Sequence, residues 1–410
     1  MASPGSTIVL APGTYRGGLT IPGRLHDLSI RGEDRNTVVF DGRDREANAI
    51  TIAADDVVVA NPTIHSFRAN GLLWHDVAGY GALDVTVWNV GAYGIYAIGS
   101  RRGLVARSLV SGAGDAAFYV GECHPCHATL RDDTAMLSGI GYSGTNAGGS
   151  LLVERSLFDR NGTGILPNSY DDEANPPQRE AMFRGNRVVG SGSVPTPATD
   201  PVDGLTGIGI GIAGGRLDVV HGNVVTGSAR YGIAVFATIQ PGDGRWSPSG
   251  NRISANRVRG SGVADLALAA GAASGNCFIG NVAGATAPAD LERTHRCGGP
   301  APAGGDAAVS APWRSPRRRR MGGRVRILPT PRCPSLQLSP RHGRMAGHRR
   351  PPSVRRSEPR TRRSRRKGAG RSRRRKRGDD AGAGTLAAPR GGASARVDAA
   401  TPAPRPHPRT

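Results

Sequence analysis

The sequence predicts an all-β solenoid, a right-handed parallel β-helix over residues 1–298, followed by a disordered basic tail over 299–410. Three observations predict it. A small residue followed by an aliphatic or aromatic one recurs at a period in the low twenties. A turn bearing Asn or a small polar residue rides on the same period, and helix signals are nearly absent.

The first pattern reads Gly71-Leu72, Gly94-Ile95, Ala117-Phe118, Gly139-Ile140, Gly164-Ile165, Gly209-Ile210 and Gly232-Ile233, at spacings of 23, 23, 22, 25, 45 and 23. The spacing of 45 is one period with an insertion, because Ser193 to Thr206 is a Pro-rich loop. The second pattern is Val87-Trp88-Asn89, Ala106-Arg107-Ser108, Glu154-Arg155-Ser156, Arg184-Gly185-Asn186, His221-Gly222-Asn223, Ala255-Asn256 and Ile279-Gly280-Asn281. Asn tolerates left-handed backbone and hydrogen-bonds its neighbours, so stacked coils would lay these side chains in a ladder at a repeated corner. A leucine-rich repeat needs Leu at fixed offsets and a helical segment, and a β-sandwich gives no long repeat. Strands without a helical crossover leave the parallel β-helix, each coil advancing by roughly 4.8 Å.

The segment Ser3-Pro4-Gly5-Ser6-Thr7-Ile8-Val9-Leu10-Ala11-Pro12-Gly13-Thr14-Tyr15 resembles the opening coil of pectin-lyase-like right-handed β-helix proteins, and the coils from about 50 to 285 resemble the β-helix repeats of bacterial, especially actinobacterial, secreted proteins. The resemblance spans roughly residues 3–297 and implies the fold. It leaves activity open, since this fold carries lyases, hydrolases, epimerases and non-catalytic surface proteins. It also implies an extracellular or cell-envelope location, an export signal and a helix capping the first coil. Neither of the last two precedes Ser3, so the chain reads as starting downstream of them.

Charge divides the chain at the same place. Residues 1–300 have a formal charge of −3 and residues 301–410 one of +25, so the basic balance belongs to the tail. Runs such as Arg317 to Arg320 and Arg371 to Arg377 repel themselves and bury nothing. Through the tail alone the chain would meet nucleic acid or an anionic surface. The alternative is a tail without selected function: only Lys367 and Lys376 are lysine among 54 basic residues, a vocabulary that GC-rich codons produce in any reading frame. No apolar run approaches the ~18 residues that span a membrane.

Stacking turns the repeat into a map of chemistry. The loops after the Gly-Ile strands pile polar residues on three neighbouring coils, with few on either side. Asp115, Glu122, His124, His127, Tyr142, Asp171, Asp172 and Glu173 are the candidate catalytic residues; Asn146, Asn168, Tyr170, Gln178 and Trp246 are the candidate substrate contacts. An acidic polysaccharide suits such a patch. Asp171, Asp172 and Glu173 would hold a Ca²⁺ that neutralises a uronate carboxylate, and His124, His127 or Tyr142 would move the proton, as in a lyase or epimerase. A hydrolase would set Asp115 or Glu122 opposite Asp172. A non-catalytic envelope module, with these residues merely solvated, is the competing class. Trp74 and Trp88 are further candidates for sugar stacking.

Cys123-His124-Pro125-Cys126-His127 contains C-x-x-C-H, which fits covalent haem, a cramped zinc cage or a local disulfide; the disulfide is the plainest of these. Convergence of its two Cys and two His would instead mark a periplasmic copper-processing β-helix. Cys277 and Cys297 bracket the last coil, where a disulfide would pin the end of the core.

Overall fold

The computed structural model describes residues 2–197, 204–239 and 244–309, all within one compact unit, Met1–Pro334. Each coil gives one strand to each of three parallel sheets. The first sheet has 11 strands, from Thr7–Leu10 to Cys277–Ile279; the second has 10, from Gly13–Arg16 to Arg257–Arg259; the third has 11, from Leu19–Ile21 to Thr286–Ala287. Every third strand along the chain is a sheet neighbour, so the backbone winds in one sense without doubling back. Among the described residues the exceptions are an antiparallel pair, Thr238–Ile239 with Arg245–Trp246, and one short helix, Leu291–Thr294.

The aliphatic member of the repeat points inward. Ile50, Leu72, Ile95, Phe118, Tyr142, Ile165, Ile210, Ile233 and Leu266 stand in register down the third sheet and are buried. The glycine before it is imposed by the next coil: a Cβ on Gly164 would stand 2.4 Å from the Gly209 carbonyl, and one on Gly209 2.5 Å from that of Gly232. Ile165 pairs directly with Ile210, so the spacing of 45 is one coil with inserted loops. One expected repeat unit is shifted. Gly141-Tyr142, not Gly139-Ile140, occupies the repeat position, and Ile140 joins a second apolar cluster on the third sheet. Leu166, Leu205, Ala234, Phe236 and Val309 belong to that cluster.

Asn ladders form at the corner between the first and second sheets. Asn186, Asn223, Asn256 and Asn281 hydrogen-bond in file, each Nδ2 also donating to a carbonyl of the preceding coil, and Glu292 of the short helix accepts from Asn281 at 2.6 Å. Earlier coils continue the file with Ser108, Asp133 and Ser156. The residue before each ladder position has left-handed backbone: Asp84, Arg107, Asp132, Arg155, Gly185, Gly222, Ala255 and Gly280. Asn89 does not belong to this ladder; it takes the equivalent left-handed position (φ 52°) at the next corner, ahead of the third sheet. Ala255, exposed at φ 55°, carries a Cβ where three neighbouring coils use Gly. Ala255→Gly is expected to stabilise the fold by roughly 0.5–1 kcal/mol, because relief of the left-handed penalty outweighs the extra unfolded-state entropy. A lower melting temperature in the variant would contradict this.

Cys277 and Cys297 form a disulfide across 20 residues that ties the helical segment to the last coil, and Phe278 N–H donates to the His295 carbonyl beside it. Packing continues past residue 298: Asp306 N–H donates to the Leu268 carbonyl and Val309 is buried. The basic tail from 310 onward, with its expected disorder and nucleic-acid or anionic-surface contacts, lies outside the described residues. Among the described residues no helix is long and apolar enough to cross a membrane.

Candidate functional site

The outward residues of the third sheet alternate with the core column. Tyr96 and Tyr119 are paired across adjacent coils at these positions, and Tyr93 precedes the Gly94 corner. Their rings form one cluster: Tyr93 stacks on Tyr96 at 4.3 Å, and Tyr119 meets both edge-on at 5.2 and 4.8 Å. Glu173 reaches the cluster from the insertion 169–178. Its Oε2 accepts the Tyr119 hydroxyl at 2.8 Å. The insertion is held by buried Asn146, whose Nδ2 donates to the Tyr170 and Glu173 carbonyls at 2.6 and 3.0 Å while its Oδ1 accepts Tyr170 N–H. Burial pushes the Glu173 carboxyl up to about 7, the Tyr119 hydrogen bond opposes this, and the charges of Glu122 and Asp115 add to it. Burial also lifts the Tyr93 and Tyr119 hydroxyls well above the ordinary phenol range, with Asp115 adding to the rise at Tyr93 and Glu173 to that at Tyr119. The result is a carboxyl raised well above the ordinary carboxylate range, within the field of two further carboxylates and against an aromatic cluster.

A family model described as a right handed beta helix region matches residues 48–238. Residues 48–238 therefore carry a right-handed β-helix, and the stacked sheets continue the same architecture on either side of them. No curated protein sequence matches this β-helix. Among solved structures it is similar to the A-module of the mannuronan C-5 epimerase AlgE6 of Azotobacter vinelandii, at 13% identity over 68% of this chain and 87% of that one, with a TM-score of 0.42. It is also similar to a rhamnogalacturonan lyase (11% identity, 65% and 77% covered, TM-score 0.44). An exopolygalacturonase from Thermotoga maritima gives 8% identity, 68% and 82% covered, and a TM-score of 0.42. Such likenesses concern the path of the solenoid and carry nothing about chemistry.

Within the β-helix the expected patch divides. Asp115, Glu122 and Glu173 act on the same tyrosine cluster, as the shifts at Glu173 and Tyr96 show. Tyr142 is excluded from surface chemistry: it is 0% exposed, an inward repeat residue whose hydroxyl finds no partner. Gln178 and Asn168 are likewise buried and structural, Gln178 bonding Ala147 O and Asp218, and Asn168 bonding Leu166 O and Ser143 Oγ. Asn146 is buried and holds the insertion from behind. Asp171, Asp172 and Glu173 do not gather for a Ca²⁺. Asp171 accepts Trp246 Nε1–H at 2.6 Å, Asp172 accepts the Tyr170 hydroxyl at 3.0 Å, and Glu173 turns to Tyr119. Among the described residues no cluster of His, Cys, Asp and Glu is arranged to hold a metal.

Cys123 and Cys126 form a disulfide, so neither sulfur is a thiolate for zinc, copper or haem attachment. His124 pairs with Glu180 at 2.9 Å and His127 occupies an exposed left-handed corner (φ 47°), leaving no convergent donor set for the copper-processing reading. Trp74 is buried with its Nε1–H on the Val57 carbonyl, and Trp88 stacks on His65 at 4.1 Å on the second sheet, away from Glu173. Trp246 is half-buried, with the Arg216 guanidinium 5.3 Å from its ring. Sequence reasoning passed over Tyr93, Tyr96 and Tyr119. The signal was available: Tyr96 and Tyr119 each follow the inward residue of the repeat, a position that must face outward.

Proposed function

We propose that this protein binds and hydrolyses a polysaccharide along the outer face of the third sheet, with Glu173 as the proton donor and Asp115 or Glu122 as the second carboxylate. One observation carries the reading: the half-buried Glu173 carboxyl, bonded to the buried Tyr119 hydroxyl, lies beside the stacked, half-buried rings of Tyr93 and Tyr96, aromatic faces of the kind that stack on sugar rings. The crowding of carboxylates argues for an uncharged glycan over a uronate chain, since a uronate would need a cation that Asp171 and Asp172 are not placed to hold. Two disulfides fit an oxidising compartment, so we place the protein outside the cytosol.

The test uses the full chain, a panel of neutral and uronate polysaccharides, and release of reducing ends. Glu173→Gln is expected to lower turnover at least about 100-fold. Wild-type turnover is expected to fall as pH rises through about 7, because the donor proton is lost there. Unchanged turnover in Glu173→Gln would remove the proposed donor, and release of unsaturated products from uronates alone would replace hydrolysis by elimination.

A further inference from the structure

Asp218 lies at the base of the insertion that carries Glu173, fully buried, and the proposed chemistry does not use it. Its Oδ1 accepts two donors, the Ala181 N–H at 2.9 Å and Gln178 Nε2–H at 2.8 Å. Its Oδ2 has no partner, and neither does Gln178 Oε1, although both are buried. These two oxygens crowd the same point: a Cβ on Gly215 would stand 2.1 Å from Gln178 Oε1 and 2.3 Å from Asp218 Oδ2. Two acceptors side by side in a dry interior repel each other. Turning the amide over does not help, because its oxygen would then face Asp218 Oδ1 and the Ala147 carbonyl, 2.8 and 3.3 Å from the present nitrogen.

We infer that Asp218 is a neutral carboxylic acid whose Oδ2–H donates to Gln178 Oε1, closing a two-bond acid–amide pair that locks the insertion 169–178 to the coil beneath it. The proton satisfies both orphaned oxygens at once. Gln178 is the hinge point of the insertion: its N–H donates to Ser169 Oγ, which donates to the Gly214 carbonyl, while the Gln178 carbonyl accepts Arg216 N–H. Asp218 is thus a positioning residue for Glu173. The other groups around it are consistent with a neutral acid. Burial raises its carboxyl to about 7 and Glu180 adds to the rise, while the bonds from Ala181 and Gln178 oppose it. The nearby Tyr142 hydroxyl is itself pushed well up, first by burial.

The inference does not rest on the polysaccharide reading, and its test involves no sugar. Hydrogen exchange is measured by mass spectrometry on the full chain between pH 5 and 9, corrected for intrinsic base catalysis, over peptides covering 168–182. Glu173 titrates in the same range, so both proteins carry Glu173→Gln, and the comparison is Asp218 against Asp218→Asn. Asn has the same shape and supplies a permanent N–H to Gln178 Oε1. With Asp218, opening of the insertion should rise by up to about 100-fold between pH 5 and 7 and level off above, because the acid ionises more readily once exposed. With Asp218→Asn the profile should be flat, and the infrared difference spectrum between the two proteins at pH 6 should show the loss of one protonated-carboxyl band, the contribution of Asp133 cancelling because both retain it. Identical exchange profiles, or a difference spectrum without that acid band, would overturn the inference in favour of a carboxylate bridged by water.

Discussion

Asp133→Asn is expected to stabilise the β-helix at pH 8 by on the order of 3 kcal/mol and to change it little at pH 4. Asp133 sits in the corner ladder, accepting Ser108 N–H through Oδ1, while its buried Oδ2 has no partner. Burial is the main reason its carboxyl rises to about 7, with Asp132 adding to it against the Ser108 and Arg131 hydrogen bonds. The sign follows from linkage. A carboxyl raised in the folded state is protonated in both states below about 4, so folding costs nothing extra there. Stability is then lost as pH climbs from about 4 to about 7 and changes little above, since the unfolded chain releases its proton first. Asparagine has no proton to lose, and the ladder supplies its fourth hydrogen bond by analogy: Asn186 Nδ2 donates to the Val153 carbonyl and Asn223 Nδ2 to that of Phe183, each in the preceding coil. The corresponding carbonyl for residue 133 is that of Val105, whose neighbour in register is Leu130. Melting temperatures of both proteins at pH 4.5 and 8 decide it; parallel pH curves would show that Asp133 does not titrate in this way.

Asn223→Ala is expected to cost roughly 3–5 kcal/mol, a large loss for one buried corner residue. Its Oδ1 accepts both Asn186 N–H and Nδ2–H at 2.9 and 3.1 Å, and its Nδ2 donates to the Phe183 carbonyl and Asn256 Oδ1 at 2.9 Å each. Alanine orphans the Asn186 donors and the Phe183 carbonyl in a site closed to water, where each unmade bond costs about 1–3 kcal/mol. Asn223→Asp separates the ladder from simple packing. It keeps the acceptor, loses the donors, and should approach wild-type stability at low pH while falling behind at high pH. A loss under about 1 kcal/mol for Asn223→Ala, measured by chemical denaturation, would mean the ladder relaxes around the gap.

The sequence by itself determined the solenoid, because its two periodic constraints are local and repeat. An inward aliphatic follows a glycine wherever the next coil's carbonyl closes in, and Asn or Ser follows a left-handed residue wherever the chain turns a corner. The Gly164–Gly209 interval could be read as one coil for the same reason: its proline-rich loop cannot supply either constraint. Tyr142 shows the limit. The repeat pair there is Gly141-Tyr142, two residues past the Gly139-Ile140 that the pattern suggests, and only strand register places the tyrosine in the core column.

Tertiary structure alone decided the site. Glu173 comes from a different coil than Asp115 and Tyr119, and Asp171, Asp172 and Glu173 are consecutive yet serve three separate partners. Which of three adjacent carboxylates is buried depends on how Asn146 holds the insertion. A carboxyl's proton affinity is set by desolvation and neighbouring charge, and both are properties of the packed coils, invisible in the order of residues.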